Sequence, residues 1–132
     1  MLSFDINWLA VLAAAIVAFA IGAVWYSPVL FSRVWLRETN VDVNNAGSVG
    51  VTFGVAFVLS LIAAVFFGAI LGPNPPIGNA IVTGIVVGAA FVATSFGINY
   101  LFERKSLTLW FINAGYHLAQ FTAMGLIFGL WH

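Results

Sequence analysis

Cysteine is absent from this sequence, and charge nearly so: of 132 residues, four are basic and four acidic. Without cysteine there are no disulfides, no thiolate metal ligands and no thiol nucleophile, and the redox compartment stays open. The 6% of charged residues falls far below the roughly 25% of a soluble domain. Such a chain cannot cover a water-facing surface. A net charge of zero removes any long-range attraction to nucleic acid. Proline occurs four times, at Pro28 and in the cluster Pro73, Pro75 and Pro76, and both places read as breaks in helical runs.

What is present is 63% hydrophobic, with mean hydropathy +1.10. That points to a single-domain integral membrane protein, residues 1–132, whose first partner is the lipid bilayer. Four apolar runs are long enough to span about 30 Å of hydrocarbon at about 1.5 Å per residue. They cover about 7–30, 48–71, 78–102 and 107–131. Barrel strands would alternate apolar and polar residues; these runs are apolar throughout, so the expected fold is all-α, with four transmembrane helices as two helical hairpins forming a bundle. The first seven residues carry no Lys or Arg, and the N-terminus reads as a span rather than a cleaved leader.

The connections set the topology. "GPNPP" (Gly72–Pro76) is an uncharged tight turn, "ERKS" (Glu103–Ser106) a short charged one, and Ser32–Ser48 a longer polar stretch that begins as a helical extension. All four basic residues lie in two of these loops: Arg33 and Arg37 after the first span, Arg104 and Lys105 after the third. The positive-inside rule then puts both loops in the cytoplasm and both termini outside, in a cell (inner) membrane.

Small residues at four-residue spacing mark every span: Ala14, Ala18 and Gly22; Gly50 and Gly54; Gly68 and Gly72; Gly84 and Gly88; Gly125 and Gly129. Lipid gives helices no hydrophobic reason to associate, so close packing at small residues does it. There are more such faces than one bundle needs, which predicts a homo-oligomer or docking to another membrane protein. On the last span Thr108, Gly115, Thr122 and Gly129 form a small-residue stripe, while Asn113, Tyr116, His117 and Gln120 share the roughly opposite arc. In the third span Gly84, Gly88, Ser95 and Asn99 share a face, and Ser95 falls at the depth of Asn113 across the hairpin. These six polar residues, Ser95, Asn99, Asn113, Tyr116, His117 and Gln120, are expected to form a buried seam. In "GAVWYSP" (Gly22–Pro28) Pro28 predicts a kink or break, and Trp25 and Tyr26 suit interfacial anchors.

The segments "GAVWYSPVLF" and "LFERKSLTLWFINAGYH" resemble a widespread family of small membrane proteins known only as domain of unknown function seventeen-sixty-one. The resemblance covers nearly the whole chain and maps the family's motif onto Trp25, Tyr26, Ser27, Pro28, Glu103, Arg104, Asn113, Gly115, Tyr116 and His117. It implies a four-helix membrane protein and no particular reaction.

The residues carry no catalytic constellation. Asp5, Glu38, Asp42 and Glu103 stand at span ends or in loops, and Ser27, Ser60 and Ser95 lack a base in sequence. Two histidines, one of them the terminal His132, make a metal centre unexpected. The expectation is no enzyme, no cofactor and no metal. His117 is the sharper feature, because an ionisable group in mid-span marks ion or solute paths by default. Small multidrug exporters depend on an intramembrane glutamate, which the spans lack, and dual-topology channels need a balanced charge distribution. Two readings result: a homo-oligomeric structural or accessory bundle with a buried polar seam, or a small channel or carrier for a neutral or weakly charged solute, proton-linked through His117.

Overall fold

A computed structural model describes residues 2–42, 44 and 47–131; part of the polar loop before Ser48, and His132, lie outside the described residues. Among the described residues the protein is all-α, with no strand. Its helices are α1 (Trp8–Trp25), α2 (Ser32–Thr39), α3 (Val49–Leu71), α4 (Ile77–Glu103) and α5 (Leu107–Leu130).

Local chemistry sets the boundaries. Asn7, Ser48 and Ser106 cap α1, α3 and α5, their side-chain oxygens accepting backbone N–H bonds from the first turn. The first helix ends at Trp25, five residues earlier than the apolar run. Pro28 has no N–H to continue the ladder, and the Ser27 hydroxyl donates to the Val24 carbonyl. The chain then turns, with the Phe31 N–H reaching back to the Trp25 carbonyl, and resumes as the separate helix α2. Helix α4 closes on Arg104 in the left-handed region (φ 59°).

Three of these helices, α1, α3 and α4, are long and apolar enough to cross a membrane, with 18, 23 and 27 residues. The expectation of four spans is met only this far. Helix α5 has 24 residues, ample length at about 1.5 Å per residue, but its Asn, Tyr, His and Gln dilute its apolar character.

Neighbouring helices run antiparallel. Helix α5 is central: it packs along α4 on one side and α1 on the other, and α1 packs on α3. Helices α3 and α4 make no substantial contact, although the short Gly72–Pro76 turn joins them. The arrangement is therefore an open row, α3–α1–α5–α4, rather than a closed square. The expected α1–α3 and α4–α5 pairs are both present and meet through α1 and α5. Because α1 and α4 run the same way, the loops carrying Arg33 and Arg37 and carrying Arg104 and Lys105 leave from the same end.

The α4–α5 pair approaches at backbone distance. A Cβ on Gly84 would collide with the Phe121 carbonyl oxygen, and one on Gly125 with that of Ala80; one on Gly88 would stand 2.7 Å from the Leu118 Cα. The α1–α5 side uses alanine, with Ala14 and Ala18 fully buried beside Met124.

Inside α4, residues Val87–Ala93 wind as a π-helix. Each π turn takes one residue more than an α turn, so the residues beyond it are rotated by about 100° from the regular register. The Thr94 hydroxyl lies against the Ala90 and Phe91 carbonyls (2.8 and 3.0 Å), supplying a donor in the loosened turn.

Candidate functional site

The polar residues of α5 converge with aromatic residues of α1 and α4 near the basic end. Asn113 sits between two tyrosines: the Tyr26 hydroxyl donates to its Oδ1 (2.7 Å), and its Nδ2 donates to the Tyr100 hydroxyl (2.7 Å). One side-chain amide thus ties α5 to the end of α1 and to α4. Two indoles add main-chain links. Trp25 Nε1–H donates to the Ile112 carbonyl (2.9 Å), and Trp110 Nε1–H to the Ala93 carbonyl within the π-turn (2.8 Å). One turn deeper, the Tyr116 hydroxyl donates to the Ala18 carbonyl (3.0 Å).

The segments "WYSP" and "NAGYH" therefore meet. The Trp25 ring lies over Gly115, where an added Cβ would stand 3.0 Å from Trp25 Cζ2, and the Tyr116 ring lies over Gly22 at 3.3 Å. Trp25 and Tyr26, expected as interfacial anchors, are bonded to α5. Each glycine leaves room for one aromatic ring, which brings that ring's polar atom to its acceptor.

Deeper again, His117 stacks on Phe96 of α4 (centroids 5.0 Å apart, planes at 22°) and meets Tyr116 edge-on. Its Nδ1 is buried with no hydrogen-bond partner, the one such side-chain atom among the described residues. Gln120 is 6% exposed. His117 and Gln120 line a cleft of about 370 Å³ between α3 and α4, together with Tyr116, Ser60 and Val92.

Of the six seam residues expected, four are brought together: Asn113, Tyr116, His117 and Gln120. Ser95 and Asn99 are not. Both are exposed, on an outer groove of α4 with Phe91 and Phe96. The regular register that would aim them at α5 is broken by the π-turn, which turns Phe96, Gly97 and Tyr100 inward instead. Tyr100, the second partner of Asn113, escapes sequence reading for the same reason. A tyrosine two residues from the end of an apolar run reads as an interfacial anchor, and nothing in "VGAAFVA" announces a π-turn.

No three metal-ligating side chains converge among the described residues. The one ion pair there, Arg37 Nε to Glu38 Oε2 at 3.7 Å, joins an exposed arginine to a partly buried glutamate at the surface and stabilises little. Three apolar helices of spanning length point to the class of helical membrane proteins. The chain belongs to the family described as "Protein of unknown function (DUF1761)", which matches residues 9–129. Neither the curated proteins nor the solved structures compared with it match the chain.

Proposed function

We propose that the chain is a four-span inner-membrane protein with both termini outside, acting as a homo-oligomeric structural or accessory bundle whose polar seam latches α5 to α1 and α4. In this reading α5 is the fourth span. Its polar side chains are tolerated in hydrocarbon because they face its neighbours, where an unpartnered polar group would cost several kcal/mol.

The observation that carries the reading is Asn113, with both ends of its amide engaged by Tyr26 and Tyr100. With Trp25, Trp110 and Tyr116 also bonded between helices, the seam at this depth is internally satisfied and offers little to a passing solute. The exit of both basic loops from one end supports the topology. Gly84, Gly88, Gly125 and Gly129 are occupied within the chain, whereas Gly54 has nothing within 4 Å and Gly50 only its own helix cap. Those two are the small-residue face left for a second copy or another membrane protein.

The second reading, a channel or carrier for a neutral or weakly charged solute, is favoured by one feature, the unpartnered Nδ1 of His117. Two substitutions separate the readings. His117→Gln keeps hydrogen-bonding capacity but cannot titrate; His117→Leu removes both. A structural seam predicts that Gln is tolerated and Leu weakens assembly. A proton-linked path predicts that both variants assemble but lose pH-dependent flux in liposomes. For topology, a reporter active only in the cytoplasm and fused after His132 should stay silent; activity there overturns the orientation.

A further inference from the structure

The cleft between α3 and α4 adjoins the latch, with which it shares Tyr116. Its lining is mostly apolar, from Leu59, Ala63, Val92 and Phe121, with Ser60, His117 and Gln120 as uncharged polar groups. Ser60 donates its hydroxyl to the Ala56 carbonyl (3.0 Å), which leaves its oxygen free to accept. Gln120 is buried and forms no side-chain hydrogen bond among the described residues. His117 beside it lines the cleft with its ring, while its unpartnered Nδ1 is buried behind that surface. A second lobe of about 420 Å³ adjoins the first, since Ala56 and Tyr116 line both; it is walled by Phe19, Phe53 and Gly22. Among the described residues no carboxylate, lysine or arginine lines either lobe.

Helix α3 makes this space. Its far end is held by Phe67 against Phe121 and Phe128 and by the Ser3 N–H on the Ala69 carbonyl. Toward the basic end α3 rests on α1, through Phe53 and Phe57 on Phe19. The gap between α3 and α4 therefore opens sideways, toward the surface that faces hydrocarbon when the chain spans a bilayer. A ligand reaching it comes from the lipid phase.

We propose that this two-lobed cleft binds a neutral, membrane-dissolved amphiphile: a slender hydrocarbon with one uncharged oxygen head, a hydroxyl or carbonyl. The head sits against Gln120, His117 and Ser60, which supply both donors and acceptors. The body lies along Phe19 and Phe53. A carboxylate, phosphate or ammonium head is disfavoured because the cleft has no opposite charge to offset its desolvation. The combined size falls in the range of small-molecule sites, roughly 300–1,000 Å³.

The test uses the whole protein in lipid nanodiscs and a diazirine-bearing dodecanol as photoprobe. Labelled peptides are mapped by mass spectrometry, with 1-dodecanol, dodecane, dodecanoate and dodecyl phosphate as competitors. Labelling is expected on peptides containing Ser60 or Gln120, with dodecanol competing about tenfold better than dodecane, the effect of one or two hydrogen bonds. Gln120→Leu should erase that preference while leaving the protein monodisperse and helical. Ala56→Phe, which fills the shared wall, should abolish cleft labelling; Ala63→Phe serves if that variant does not fold. Equal competition by dodecane means that acyl chains alone fill the gap, and overturns the proposal. Stronger competition by dodecanoate or dodecyl phosphate overturns the neutral head. Labelling unaffected by both cleft-filling variants overturns the site.

Discussion

Helices α3 and α4 are written in nearly the same alphabet, valine, glycine, alanine and phenylalanine, and each carries two glycines four residues apart. In α4, Gly84 and Gly88 receive the backbone of α5 at contact distance, whereas in α3 Gly54 meets nothing and Gly50 only the hydroxyl of Ser48. Val49, Val51, Val55 and Val58 of α3 are all more than half exposed. The difference lies in what stands opposite. Helix α5 offers α4 a glycine at Gly125 and another at Gly129, so both backbones can approach. It also offers Asn113 and Trp110, which bond to Tyr100 and Ala93. Among the described residues nothing comparable faces the basic-end half of α3, which rests on α1 through two phenylalanines. Small-residue spacing permits close packing; mutual small faces and hydrogen bonds decide where it happens.

The α4–α5 contact is most sensitive at its glycines. Gly84→Leu or Gly125→Leu forces a side chain into a facing carbonyl, and the helices must separate. The expected loss is about 3 kcal/mol or more, at the upper end for overpacking, read as a large fall in the unfolding midpoint in detergent. An unchanged midpoint would remove the close α4–α5 contact from the account. Next is Asn113→Leu, which leaves the hydroxyls of Tyr26 and Tyr100 without their partner. A loss of about 1–3 kcal/mol is expected, and a double-mutant cycle with Tyr26→Phe should show coupling; additive losses would mean that the bridge does not exist. Tyr116→Phe deletes one hydroxyl bonded to a main-chain carbonyl and should cost about 0.6 kcal/mol, the average for such bonds in a bilayer. The smallest effect sharpens the contrast: Gly54→Leu should leave the stability of the single chain within about 0.5 kcal/mol while weakening self-association, measured by single-molecule photobleaching in bilayers. A large loss of chain stability would show that α3 is packed after all.

Much of this is legible in the sequence. The positions of the apolar helices, the break at Pro28, the shared exit of the basic loops and the common arc of Asn113, Tyr116, His117 and Gln120 all come from hydropathy, proline chemistry and helical phase, whereas only three of the four expected spans are apolar enough to cross a membrane. Two things are not legible. The π-turn at Val87–Ala93 shifts phase without a distinctive residue, so a regular helix aims Ser95 and Asn99 inward and hides Tyr100. The openness between α3 and α4 depends on which of several equivalent small-residue faces finds a partner, a tertiary outcome that spacing does not encode. Trp25 and Tyr26 fall between these cases. Their position near a membrane edge is readable, but the bonds of Trp25 to Ile112, where its ring settles over Gly115, and of Tyr26 to Asn113 are pairings across 87 positions of chain.

The central claim is that α4 and α5 form a rigid pair while α3 stands off from α4 at the basic end, with the cleft between. The absence of native cysteine allows spin labels at chosen pairs, so the direct measurement is pulsed electron spin resonance in nanodiscs on two double-cysteine variants. Labels at Val82 and Leu126 span the rigid pair; labels at Val51 and Ile98 span the basic ends of α3 and α4, and all four sites are exposed. The account predicts a short, narrow distance distribution for the first pair and a longer, broader one for the second. A Val51–Ile98 distribution as short and narrow as that of Val82–Leu126 would contradict it.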